Sequence, residues 1–77
     1  MILENTIKQA SQLLKNHNIV SYRLDAEIIL SEIMGVTREY LMINNYINVP
    51  IKIYYYLICR FVHKNYFYLY FFLKLIN

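Results

Sequence analysis

Few side chains in this 77-residue sequence could do chemistry, and most of them stand alone. Asp25 and Glu27 offer two carboxylates for general acid–base work, which would also require a cleft and a substrate; the sequence shows neither. Their place in the first turns of an expected helix has a simpler cause. The helix dipole favours negative charge there, by about 0.3–1 kcal/mol each. His17 has no Cys or His partner at ligand spacing, and a zinc site needs three or four ligands, so it reads as a turn histidine in solvent. Cys59 is the lone cysteine and cannot form an internal disulfide; within an apolar run it is expected to be a buried thiol. Gly35 is the sole glycine, which excludes a glycine-rich phosphate loop. No catalytic, cofactor-binding or metal-binding residue is therefore assigned.

Length and charge bound what can position these groups. A chain of this size makes one small domain, burying only about 60% of the surface its unfolded form exposes. The net charge of +3 hides an asymmetry. All five acids (Glu4, Asp25, Glu27, Glu32, Glu39) precede Tyr40, and the only formal charges after it are Lys52, Arg60, Lys64 and Lys74. Aromatic residues crowd between Tyr54 and Phe72. Such a break in composition, near Pro50, marks a domain boundary, a membrane-facing segment or sequence of different origin. No secretory pattern opens the chain, and with one cysteine the expectation is a cytoplasmic location.

The elements are legible from spacing. Leu3, Ile7, Ala10 and Leu14 recur on one helical face, with polar residues opposite. Thr6 and Gln9 have the form of a capping box, although the helix could begin earlier, near Leu3. Asn16-His17-Asn18 should end it. A second helix is expected from Ser21 as N-cap to Gly35 as the exit residue. Within it Ala26, Ile29, Leu30 and Ile33 form one stripe and Leu24 and Ile28 lie roughly opposite, a pattern that predicts a central helix buried on both sides. Thr37 should cap a short third helix, Asn44 to Asn48 reads as a loop, and Pro50 suits the first turn of a fourth helix running to Lys64. The expected fold is all-α, a small bundle of four to five helices with an apolar C-terminal tail. Residues 1–64 form the helical domain and 65–77 the tail.

The run "SYRLDAEIILSEIMGVTREYLMI" resembles the N-terminal domain of the release factor glutamine methyltransferases, whose segment reads S-P-R-L-D-A-E-x-L-L-x-x-x-x-G-x-x-R-x-x-L. Ser21, Arg23, Leu24, Asp25, Ala26, Glu27, Leu30, Gly35, Arg38 and Leu41 stand where that pattern wants them. Tyr22 replaces its proline. The helix from Pro50 to Lys64 fits loosely: Arg60 matches one residue of the family's arginine pair, and Phe61 departs from the other. By resemblance the whole enzyme uses S-adenosylmethionine to methylate the glutamine of a Gly-Gly-Gln motif in a peptide chain release factor. The family's catalytic domain, with its Gly-rich cofactor loop and Asn-Pro-Pro-Tyr motif, is not matched in these residues, so the resemblance implies a truncated fragment, no enzyme by itself, that keeps the release-factor-docking half. Arg23 and Arg38 are the implied docking contacts.

After Lys64 the resemblance stops. The tail's Tyr, Phe and Leu content resembles an A+T-rich gene read in a shifted frame. Tyr66 to Leu73 is an aggregation-prone window, a candidate for membrane contact or self-association. The alternative reading is a small membrane-associated helical protein with an aromatic C-terminal anchor. A full membrane span is not expected, because Arg60, His63 and Lys64 interrupt the apolar runs. Nor is a nucleic-acid partner, since four cations without a binding fold are weak support.

Overall fold

The structure, a computed structural model, describes residues 1–63. The expected tail, its aggregation-prone window and its roles in membrane contact or self-association lie outside these residues. Four helices follow in order: α1 (Leu3–Asn16), α2 (Tyr22–Met34), α3 (Arg38–Ile43) and α4 (Ile51–His63). They form a small all-α bundle, as expected. α2 packs against α1, α3 and α4, and α1 also meets α4.

α1 buries the expected stripe of Leu3, Ile7, Ala10 and Leu14. Its start differs from the capping-box expectation. Ile2 precedes the helix in extended conformation, and the N–H groups of Leu3 and Glu4 donate to the carbonyls of Ile47 and Asn45, each at 2.8 Å. Thr6 lies inside the helix, buried, its hydroxyl donating to the Ile2 carbonyl at 3.4 Å. Backbone from the 44–48 loop satisfies the orphan donors that a side chain would otherwise have to reach. Ile2 and Asn48 form an antiparallel bridge, flanked by Met1 nitrogen donating to Val49 oxygen (3.1 Å) and Val49 nitrogen to Met1 oxygen (2.8 Å). At the other end Asn18 takes a positive φ of 63°, the left-handed exit foreseen for this asparagine run. His17 is half-buried, its Nδ1 2.8 Å from the Leu13 carbonyl, so the ring closes the last turn of the helix instead of standing free in solvent.

Ser21 makes no side-chain cap to α2. Its backbone is not in the extended conformation that aims a cap hydroxyl at the helix, and only its carbonyl serves, accepting from Asp25 N–H at 2.9 Å. Gly35 ends α2 in the left-handed region, φ 67°, as expected of a C-terminal glycine. Thr37 caps α3 through its hydroxyl, which accepts from Tyr40 N–H at 3.1 Å.

The expectation that α2 is buried on both sides needs correction. Ala26, Ile29 and Leu30 enter the core, but Leu24 and Ile28 remain 42% and 38% exposed. Among the described residues the three other helices pack around one side of α2 and its edges, and none of them covers the outer arc. α4 shows the reverse outcome: a segment apolar nearly all round becomes one-sided, with Leu57, Ile58 and Phe61 completing the core beside Leu41 and Val49. Cys59, expected to be buried, is exposed, because its position on α4 lies on the arc away from Leu57 and Phe61.

Candidate functional site: an arginine–glutamate network on three helices

Glu27 is the one buried acid among the described residues, 6% exposed, on the edge of α2 where α1 and α3 converge. A buried carboxylate must be compensated. Two arginines do this. Arg23, one turn earlier on α2, donates through Nε to Glu27 Oε2 at 2.8 Å, and Arg38 at the start of α3 donates through Nη2 to Oε1 at 2.8 Å. Arg23 then spans to α1, its Nη1 and Nη2 reaching the two oxygens of Glu4 at 3.1 and 3.3 Å. Four side chains from three helices thus share one network.

Its electrostatics follow from burial and pairing. For Glu27, burial pushes the carboxyl up, but hydrogen bonds from Arg38 and Arg23 and their positive charges outweigh it, so the group sits below the usual carboxylate range. For Arg23, burial opposes the charged form, and the hydrogen bonds to Glu4 and Glu27 more than offset it, raising its pKa. A carboxyl that binds protons less readily when folded supports the fold in full above its unfolded pKa, here 4.5, and loses that support as pH falls through the lower folded value. The denaturant midpoint should therefore fall as pH drops below about 4.5, and a Glu27→Gln variant should lack this part of the fall. Urea titrations at a series of pH values check it; superimposable profiles for the two proteins would refute it.

The sequence-derived site residues, Arg23 and Arg38, are brought together by Glu27. Their side chains are 43% and 37% exposed, so each serves the network with one edge and offers the rest to solvent. Arg38 Nε is buried without a hydrogen-bond partner. The sequence alone places Glu27 with Asp25 as a dipole-compensating acid, whereas in the fold it is the shared acceptor of two arginines. The i, i+4 spacing of Arg23 and Glu27 was a usable signal, since such pairs are neighbours on a helix. Nothing in the sequence brings Glu4 to Arg23 or Arg38 to Glu27. A small cavity of about 130 Å³ adjoins the network, lined by Glu4, Arg23 and Glu27 on one side and Leu41, Met42 and Asn45 on the other. Elsewhere Arg60 pairs with Glu32 across α4 and α2 at 2.9 Å, beside a shallow groove that includes Tyr56, Cys59 and His63. Among the described residues no three His, Cys, Asp or Glu side chains gather as metal ligands, and no helix is long and apolar enough to cross a membrane.

The fold and this network define a small helical domain braced by ion pairs between its helices. The family model described as the PrmC N-terminal domain matches residues 5–54, more than half of the chain. The chain belongs to that family, the N-terminal domain of release factor glutamine methyltransferase. No curated protein and no solved structure matched it.

Proposed function

We propose that this chain is a docking module that contacts a peptide chain release factor, with Arg23 and Arg38 in the contact. The observation that carries the reading is the sharing of Glu27: one buried carboxylate fixes two partly exposed guanidinium groups beside each other. Fixed guanidiniums lose less freedom on binding than mobile ones, and arginine is enriched at interface hot spots. Met42 and Tyr46, more than half exposed, lie on and just after α3, and Met42 shares the small cavity with Arg23. Methionine and tyrosine beside arginine are the residue types that protein interfaces favour. Family membership supplies the class of partner. In this reading methylation itself, with its S-adenosylmethionine, belongs to the catalytic domain of the family, none of the 77 residues here is assigned to the cofactor, and the site of action is the cytoplasm.

The test is calorimetric titration of a release factor carrying the Gly-Gly-Gln motif into the chain. Lysine keeps the charge that Glu27 needs but cannot make the planar forked contact. An Arg23→Lys/Arg38→Lys variant should retain the helical circular dichroism signal and bind about tenfold more weakly or worse, a loss of about 1.4 kcal/mol. Equal affinity for parent and variant would remove these arginines from the contact, and no binding by the parent would end the docking reading.

A further inference from the structure

Among the described residues the bundle leaves one face of α4 exposed. At about 100° per residue, Leu57, Ile58 and Phe61 cover the inward arc and Ile51, Lys52, Tyr55, Tyr56, Cys59, Arg60 and His63 the outward one. All seven are exposed. Ile51, Tyr55 and Tyr56 are each more than half exposed, a large apolar and aromatic area for so short a helix. The basic groups bracket it, with Lys52 near the start and Arg60 and His63 near the end, about 12 and 16 Å along the axis. α4 contains no acid, and no acid follows Glu39 anywhere in the chain.

We propose that this outward face of α4 is a docking surface for an anionic lipid bilayer, on which the domain rests peripherally. Tyrosine places an apolar ring at the boundary of the hydrocarbon and its hydroxyl among the headgroups, and lysine and arginine lay their stems on apolar surface while their charges reach outward. The alternation on α4 supplies both. Charge complementarity selects the partner: residues before Tyr40 hold four cations against five acids, whereas those from Tyr40 on hold four cations and no acid, so the two parts of the chain differ in sign. A negative surface would orient the molecule with α4 toward it. Glu32 already occupies Arg60 at 2.9 Å, which leaves Lys52 as the unneutralised cation of the described face. The helix would lie in the interface plane, since the described α4, Ile51–His63, is too short to span. This proposal stands independently of release factor docking, which uses the other side of the sequence.

Flotation of the full chain with vesicles tests it. The parent should bind vesicles containing phosphatidylglycerol and bind phosphatidylcholine vesicles far less, with retention falling as salt rises. Lys52→Glu should weaken binding about 25-fold, at about fivefold for each unit of charge near an anionic surface. Tyr55→Ser/Tyr56→Ser should weaken it further while leaving the helical signal unchanged, because both side chains point away from the core. If the variants float with anionic vesicles as well as the parent does, α4 is not the docking face and the proposal fails. It fails equally if binding ignores lipid charge, or if single-stranded DNA retains the parent more strongly than the anionic vesicles do.

Discussion

Replacing Ile29 with Ala should destabilise the domain by about 2–5 kcal/mol, the range for deleting a buried branched side chain and leaving a cavity. Ile29 is 2% exposed on the inward side of α2, in one cluster with Ala26, Leu30, Leu41 and Leu57. A domain of this size holds only several kcal/mol in total, so the loss takes most of its margin. The melting temperature should drop by about 8–40 °C, at about 4–8 °C per kcal/mol. The neighbouring residue supplies the control. Ile28 has the same side chain but is 38% exposed, and Ile28→Ala should shift stability by about 0.5 kcal/mol or less. Thermal unfolding followed by circular dichroism separates the two. Equal losses at both positions would restore a helix buried on two sides, and no loss at Ile29 would remove α2 from the core.

The second large effect is expected at Glu27. Its removal by Glu27→Ala deprives Arg23 Nε and Arg38 Nη2 of their acceptor at once and adds to the unpartnered buried Nε of Arg38. Unsatisfied buried donors cost about 1–3 kcal/mol. The full penalty of an orphaned buried charge does not apply, because both guanidiniums are more than a third exposed and can turn toward water. Arg23→Ala should cost less, since Glu27 would keep Arg38. A double-mutant cycle on Glu27 and Arg38 in urea measures their coupling, expected at 0.5 kcal/mol or more. Additive losses would show that the two residues support the fold separately and that the network is only proximity.

Local pattern carried most of the fold. The stripe of Leu3, Ile7, Ala10 and Leu14 placed α1, Gly35 and Thr37 placed the α2–α3 junction, and Pro50 the start of α4. Amount of burial and long-range reach are not written in local pattern. Leu24 and Ile28 are apolar enough to be buried, but whether a helix is covered on its second side depends on how many neighbours pack against it, and among the described residues α2 has three. The neighbours of Cys59 in sequence are apolar, but its angular position on α4 decides its exposure. The cap of α1 comes from carbonyls more than forty residues away, where no motif could register it. The network was half visible: Arg23–Glu27 follows from helical spacing, while Glu4 and Arg38 join only when three helices are packed. The family segment had drawn attention to Arg23, Glu27 and Arg38 without saying that they touch.

The borrowed cap of α1 also dictates an order of events. As the chain emerges during synthesis, α1 can coil early, but the amides of Leu3 and Glu4 have only water to accept their hydrogens until Asn45 and Ile47 arrive. Met1 and Val49 then close a loop nearly the length of the described domain, and long loops are costly to close before their contacts repay the lost chain entropy. The first turn of α1 is therefore the last part of that helix to become fixed. Its amides should be among the earliest in α1 to exchange with deuterated solvent whenever the 44–48 loop lifts away, joining two distant stretches of chain in a single local opening.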